Sequence, residues 1–180
     1  ASLGADIGGT NSNFGVFLIK DLQPTLLFSV HAKSQEINSF AHLVKKVLEH
    51  IKNNFRITIE HALFAAAGVV SSNKDYARPT NLDIIIDANE IKKETGLRCV
   101  YIVNDFEVIG YGVPLLQPDG LVTINKGPEK DRANKAIVGA GTGLGKCVMD
   151  WNKYADRYIP IASEGGHADC AIQYPIELAL

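Results

Sequence analysis

Two glycine-rich turns, placed far apart in the chain, hold the residues best suited to chemistry. Residues 6–11 read Asp-Ile-Gly-Gly-Thr-Asn, and residues 139–145 read Gly-Ala-Gly-Thr-Gly-Leu-Gly. Glycine allows backbone N–H groups to approach a phosphate closely and to turn inward around it. Between the turns, Asn104 and Asp105 directly follow the apolar run 99–103. Two phosphate-sized backbone cradles and a carboxylate at the end of a strand predict phosphoryl transfer.

The spacing of the glycines separates these turns from the well-known phosphate loops. The second turn resembles a P-loop at its end, but Ala140 and Cys147 stand where that pattern needs a glycine and a hydroxyl side chain. Neither turn has GxGxxG spacing, and the following residues 14–19 and 146–149 read as strands rather than helices. One such turn alone would indicate only a tight hairpin connection. Two of them, each with threonine after a glycine, favour hairpin loops that grip phosphates.

Further polar residues stand where ligands collect in open α/β sheets, at the carboxyl ends of strands. Asn104 and Asp105 could bind a ligand there, but either could instead be the N-cap of a helix beginning at Phe106. The two roles are compatible if one residue caps the helix while the other faces a cleft. A carboxylate there could accept a proton from an attacking hydroxyl, a step that depends mainly on alignment. Asp6 is either a solvated turn residue or a group that places a hydrated Mg²⁺ beside the phosphates.

Residues 164–167 read Glu-Gly-Gly-His and follow a predicted strand. Adjacent glycines allow a sharp turn that points Glu164 and His167 into one space. A carboxylate and an imidazole together suit vicinal sugar hydroxyls, because they offer both donors and acceptors. The alternative is an ordinary loop with an exposed glutamate and a partly buried histidine.

The hydrophobic periodicity predicts the elements that position these residues. An amphipathic helix is expected over 35–53, and a second helix opens at Asp87 as N-cap and closes at Gly96. The run 99–103 is expected to be a strand buried on both faces. A domain boundary is placed at 108–114. The remaining strands are expected at 2–7, 14–19, 26–32, 62–67, 121–125, 136–140, 146–151 and 157–162.

Composition bounds the class of protein. The chain has 180 residues, 46% of them apolar, which is enough for one domain plus part of another. A net charge of −2 without a basic stripe argues against a nucleic-acid partner. No apolar run approaches the roughly 20 residues that span a bilayer, so a cytoplasmic protein is expected. The three cysteines form no metal-type cluster. Both ends look cut, since the chain begins almost inside its first predicted strand and residues 175–180 read as an unfinished helix.

Four motifs in this order resemble those of the bacterial glucokinase family, within the hexokinase and actin-like ATPase superfamily. They are residues 6–11, residues 103–106, residues 139–145 and residues 164–167. Thr80 and Asn81 also resemble the Thr-Asn pair that the family carries before its second helix. The resemblance spans the chain, and the second turn combined with Glu-Gly-Gly-His is its most specific part.

The resemblance implies an α/β fold: a ribonuclease H-like, actin-like ATPase lobe at 1–110, with a mixed sheet flanked by helices, and the truncated start of a second lobe at 111–180. It implies ATP-dependent phosphorylation of the 6-hydroxyl of glucose and a homodimer of the full-length protein. Asp105 would be the general base, and the sugar hydroxyls would bind Asn104, Asp105, Glu164 and His167. The ATP phosphates and Mg²⁺ would face Asp6 (also the metal ligand), Gly8, Gly9, Thr10, Asn11, Gly141, Thr142 and Gly143.

Some residues depart from the family pattern. Asn13 stands where a basic residue is common, and residues 65–69 lack a proline. The later sugar-binding glutamate and the adenosine site of the family lie beyond Leu180, so this length of chain is expected to have little kinase activity. A related repressor/kinase group carries a zinc-binding cysteine cluster where Cys170 stands alone. A non-catalytic sugar sensor, a kinase for another hexose and a donor other than ATP stay open.

Overall fold

The computed structural model describes residues 1–21, 23–34, 39–80, 82–128, 130–141 and 143–168, with His167 described by its backbone only. The strands in these ranges are β1 (Ser2–Ile7), β2 (Asn11–Lys20), β3 (Gln23–Lys33), β4 (His61–Ala66), β5 (Tyr76–Ala77), β6 (Ile86–Asp87), β7 (Cys99–Asn104), β8 (Lys135–Ala140), β9 (Leu144–Asn152) and β10 (Arg157–Ser163). The α-helices are α1 (Phe40–Phe55), α2 (Ala88–Thr95) and α3 (Asp105–Gly112).

A five-stranded mixed sheet forms the first half of the molecule, in the order β3-β2-β1-β4-β7. Strands β1, β2 and β3 are antiparallel neighbours, whereas β1, β4 and β7 run parallel. Parallel strands need crossover connections, and α1 and α2 lie in those connections. The carboxyl ends of β1, β4 and β7 therefore meet at one edge of the sheet. The first glycine turn follows β1 there, and Asp105 follows β7.

Helix α1 packs against one face of this sheet through an apolar stripe. Its buried residues recur at helical spacing: Phe40, Ala41, Val44, Val47 and Ile51. The strand register places buried residues of four strands in rows beneath that stripe, and one row holds Leu3, Val16, Ala62 and Val100. The helix begins where the Ser39 hydroxyl accepts a hydrogen bond from the His42 N–H, and it ends at Arg56 in the left-handed region.

The second sheet is an antiparallel set, β8-β9-β10 with β9 in the centre, and it packs on α3. Close approach depends on glycine. The Phe106 ring lies over Gly139 and Gly145, and a Cβ atom at Gly145 would lie 1.8 Å from that ring. At the other end of α3, a Cβ atom at Gly110 would lie 2.4 Å from the Pro160 side chain. Because α3 also continues directly from β7, this helix joins the two sheets.

The structure confirms both glycine turns as hairpin connections, β1–β2 and β8–β9. The capping predicted for the second helix is also confirmed. The Asp87 carboxylate accepts from the N–H groups of Asn89 and Glu90, and Gly96 ends α2 with φ +76°. No helix within the described ranges is long and apolar enough to cross a membrane.

Two expectations about the elements were wrong. Residues 121–125 form no strand, because no neighbouring strand pairs with them, and Val122 and Ile124 are 88% and 97% exposed. Strand β7 is not buried on both faces, because Tyr101, 56% exposed, lies on the face away from α1 beside Leu63 of β4, which is 38% exposed. The first helix, expected over 35–53, spans Phe40–Phe55, and residues 35–38 lie outside the described residues.

Candidate active site

The first glycine turn is braced from beneath by two buried serines. The Gly8 N–H donates to the Asn11 carbonyl at 3.0 Å. From the end of β3, the Ser34 N–H donates to the Thr10 carbonyl at 3.0 Å, and its hydroxyl donates to the Gly8 carbonyl at 2.6 Å. The Ser12 hydroxyl shares a further hydrogen bond with Ser34 at 2.9 Å. These bonds hold the turn at the end of β1 and leave Thr10 exposed.

The sequence interpretation missed both serines. A signal for one of them existed, because Ser12 stands at an inward position of β2, where the alternation of Phe14 and Val16 leads one to expect an apolar residue. A buried hydroxyl needs a partner. That requirement indicates a polar bracket near the turn, but the alternation does not reveal that Ser34 supplies it.

The second glycine turn contains glycines of two kinds. Gly139 and Gly145 accommodate the Phe106 ring, as described above. Gly141 and Gly143 face open space, and a Cβ atom at Gly143 would meet nothing within 4 Å. The Gly141 N–H donates to the Gly143 carbonyl at 2.9 Å. Gly141 and Gly143 therefore leave the room that a phosphate would need, whereas Thr142 lies outside the described residues.

Asn104 takes the capping role that the sequence left open, and Asp105 begins the helix that it caps. Asn104 is buried and is the N-cap of α3, since its Oδ1 accepts from the N–H groups of Phe106 at 2.9 Å and Glu107 at 3.2 Å. Its Nδ2 donates to the Gly68 carbonyl at 3.1 Å. One N–H of this amide is then left for a ligand. Asp105 is the first residue of α3 and is half-buried, and its Oδ1 accepts from the Phe106 N–H at 2.9 Å.

Asp105 lies close enough to Asp6 for their charges to interact. Asp6 is largely exposed, yet desolvation of part of its carboxyl raises the pKa above its ordinary 3.8, and the negative charge of Asp105 raises that pKa further. Asp6 stands two residues before Gly8. The predicted base Asp105 and the first glycine turn therefore lie at one corner of the molecule. Like charges held together favour a bound cation between them.

A cavity of about 310 Å³ opens beside this corner. Its walls come from three segments: the loop after β4, the start of α3 and the end of β10. The lining residues are Gly68, Val69, Val70, Ser71, Ser72, Lys74, Asn104, Glu107, Ala162, Ser163 and Glu164. The structure thus brings Asn104 and Glu164, which are 60 positions apart, to one concave surface. Neither Asp105 nor the His167 side chain, which is not described, is among the lining residues.

The Glu-Gly-Gly-His turn is fixed against the second glycine turn. A Cβ atom at Gly166 would lie 1.7 Å from the Leu144 carbonyl oxygen, so only glycine allows this contact. The Lys146 ammonium donates to the Gly165 carbonyl at 2.9 Å. Residues 165–167 form a short 3₁₀ turn directly after Glu164. The two motifs act as one structural unit, with Glu164 at the cavity.

An ion pair that sequence reasoning did not find lies on the same cavity. The Lys74 ammonium donates to the Glu107 carboxylate, and Glu107 is buried. Glu107 also lies near Cys147, where burial raises the pKa of the thiol and the Glu107 charge adds to that effect. Cys99 and Cys147 are free thiols. The described residues contain no group of three His, Cys, Asp or Glu side chains arranged to hold a metal.

Comparison with known proteins identifies the family. The family model for glucokinase matches residues 3–180, and the chain belongs to that family. A curated glucokinase from Nostoc punctiforme is 36% identical over 179 residues, which cover 99% of this chain and 50% of the relative. The chain therefore spans about half the length of the curated relatives it matches.

Two solved structures share the fold. A glucokinase from an Antarctic psychrotroph matches with a TM-score of 0.77 and 24% identity over 98% of this chain and 54% of its own. A glucokinase from Balamuthia mandrillaris, solved in complex with glucose, matches with a TM-score of 0.73 and 19% identity over 97% of this chain and 50% of its own. The predicted fold class, a mixed sheet flanked by helices, is confirmed.

Proposed function

We propose that the full-length protein is a glucokinase that transfers a phosphoryl group from ATP to the 6-hydroxyl of glucose. The observation that carries this proposal is the meeting of distant motifs at one corner. Asn104 and Glu164 line one cavity, and Asp105 is close enough to Asp6, at the first glycine turn, for their charges to interact. Membership of the glucokinase family supports the reaction, and the Balamuthia mandrillaris relative binds glucose.

In this proposal each motif has one role. Asp105 accepts the proton of the attacking sugar hydroxyl, while Asn104, Asp105, Glu164 and His167 hold the sugar. The backbone cap of Asn104 fixes its amide, so the remaining N–H points at a ligand from a fixed position. Such positioning supplies most of the rate enhancement in phosphoryl transfer.

The nucleotide binds at the two glycine turns, at Asp6, Gly8, Gly9, Thr10 and Asn11 in the first and Gly141, Thr142 and Gly143 in the second. Mg²⁺ suits Asp6, because a carboxylate beside the first turn is an oxygen ligand of the kind that a hard cation prefers. When bound, the ion would neutralise charge on the phosphates. The role of the chain is to hold Asp6 at a fixed place at the end of β1.

The proposal also covers domain organisation. Residues 1–110 form the first lobe, and residues 111–180 begin the second. The outer face of the second sheet supports this division, since it exposes a set of apolar side chains that further chain would cover: Val138, Leu144, Val148 and Ile161. A homodimer of the full-length protein and a cytoplasmic location stay predictions.

A coupled assay of the full-length protein tests the function. The wild type should produce ADP in proportion to glucose, and Asp105→Asn should lower kcat by at least about a hundredfold, because the proton acceptor is lost. Glucose should still stabilise the Asp105→Asn variant against heat. If the wild type is stabilised by glucose but shows no turnover, the protein is a sugar sensor. If another hexose is turned over far faster, the substrate assignment is wrong.

A further inference from the structure

One wall of the sugar cavity consists of a loop to which the proposed mechanism assigns no role. This loop carries Lys74, whose ammonium donates to the Glu107 carboxylate, and both residues line the cavity. The Glu107 side chain is 11% exposed and that of Lys74 is 37% exposed. Glu107 is the shielded partner, so loss of Lys74 would leave a buried carboxylate without its cation.

The backbone of Lys74 is anchored independently of its side chain. Its N–H donates to the Ser71 carbonyl at 2.9 Å, and its carbonyl accepts from the Ile102 N–H of β7 at 2.8 Å. The residue has φ +57°, in the left-handed region that glycine and asparagine adopt more easily. The backbone therefore does not require lysine at this position. The side chain, with its contact to Glu107, is what distinguishes lysine from those residues.

Among the described residues, the ion pair is one of two side-chain ties between this loop and the start of α3. The other tie is the hydrogen bond from Asn104 Nδ2 to the Gly68 carbonyl. Asn104 and Glu107 are themselves linked, because the Glu107 N–H donates to Asn104 Oδ1 at 3.2 Å. A shift of the loop would thus disturb the amide of Asn104 through both ties.

We infer that the Lys74–Glu107 ion pair is a positioning pair for the sugar. It sets the width of the cavity between the loop and α3 and holds Asn104 in its ligand-binding orientation. It takes no part in proton or phosphoryl transfer. This inference rests on the proposed function. Loss of the pair should weaken sugar binding much more than it slows the chemical step.

Steady-state kinetics and calorimetry on the full-length protein test the pair. Lys74→Met should raise the KM for glucose, and the calorimetric Kd for glucose without nucleotide, by about tenfold, with kcat within about twofold of the wild type and the KM for ATP unchanged. Glu107→Gln, which keeps the shape of the side chain, should do the same. Lys74→Arg retains the charge and should stay within about threefold of the wild type.

Lys45→Met is the matched control. Lys45 forms an exposed ion pair with Glu94 at 3.7 Å, away from the cavity, and its loss should leave the glucose Kd unchanged. The inference is overturned if Glu107→Gln melts at a lower temperature but binds glucose as the wild type does, since the pair is then only structural. It is also overturned if kcat falls as much as KM rises. A wild type without any hexose kinase activity would instead refute the proposed function, and this inference with it.

Discussion

The two glycine turns lie in hairpins of the same kind, yet they are held in place in different ways. Hydroxyl hydrogen bonds from Ser34 and Ser12 brace the first turn within its own sheet. The second turn is held by shape, because the Phe106 ring fills the space over Gly139 and Gly145. The serine hydrogen bonds at the first turn do not depend on the size of neighbouring side chains. The packing of the Phe106 ring at the second turn does depend on it, because the ring leaves no room for a larger residue.

This difference has a consequence for the proposed reaction. Phe106 directly follows Asp105, so the ring that positions the second turn belongs to the residue next to the predicted base. The first turn is connected to Asp105 through the charge interaction with Asp6. Packing therefore holds the base beside the second turn, whereas its charge repels that of Asp6 at the first turn.

The largest expected effect is on the packed turn. Gly145→Ala places a methyl group within the Phe106 ring and should lower the free energy of unfolding of the full-length protein by about 3 kcal/mol. Denaturant titration measures this loss. Gly143→Ala is the control, because that position is open and the change should be nearly neutral. Equal stability of the two variants would show that the ring does not brace this turn.

The serine bracket should produce a smaller loss. Ser34→Ala removes the donor to the Gly8 carbonyl and the partner of Ser12, which should cost about 1–3 kcal/mol in denaturant titration. Ser29→Ala, at an exposed position on β3, the strand that Ser34 follows, serves for comparison and should change little. A loss no larger than that of Ser29→Ala would mean that the first turn holds its shape without the bracket.

The charge interaction should give the smallest effect, with a pH dependence of known sign. Because the pKa of Asp6 is raised on folding, its ionised form is disfavoured in the folded protein. The penalty is present above that raised pKa and disappears as pH falls toward the ordinary value of 3.8. Asp6→Asn should therefore raise the Tm of the nucleotide-free protein by about 1–2 °C at pH 7.

At about pH 4 the Tm difference between Asp6→Asn and the wild type should be smaller than at pH 7. Asp83→Asn provides a reference for a carboxylate in the same half of the molecule that is 97% exposed. A Tm gain that grows on acidification would contradict the assigned sign. The same Asp6→Asn protein should bind MgATP more weakly if the proposed metal role is correct.

Much of the first half could be predicted from sequence because its signals are local. The apolar stripe of α1, the Asp87 cap of α2 and the Gly96 stop each depend on residues within a few positions of one another. The strand expected at 121–125 failed because a strand needs a neighbour, and alternation alone does not supply one. The exposure of Tyr101 was missed for a related reason, since an apolar run does not reveal whether both faces of its sheet are covered.

The same distinction between local signals and long-range contacts applies to the candidate site. The sequence alone determined the motifs, their order and the residue types that can hold phosphates, a sugar and a cation, because those properties belong to single residues and short turns. Only the tertiary structure decided that Asn104 caps α3, that the charges of Asp105 and Asp6 interact, that Glu164 shares a cavity with Asn104, and that Lys74 pairs with Glu107. Those relations join segments tens of residues apart, and the packing of α3 between two sheets brings them together.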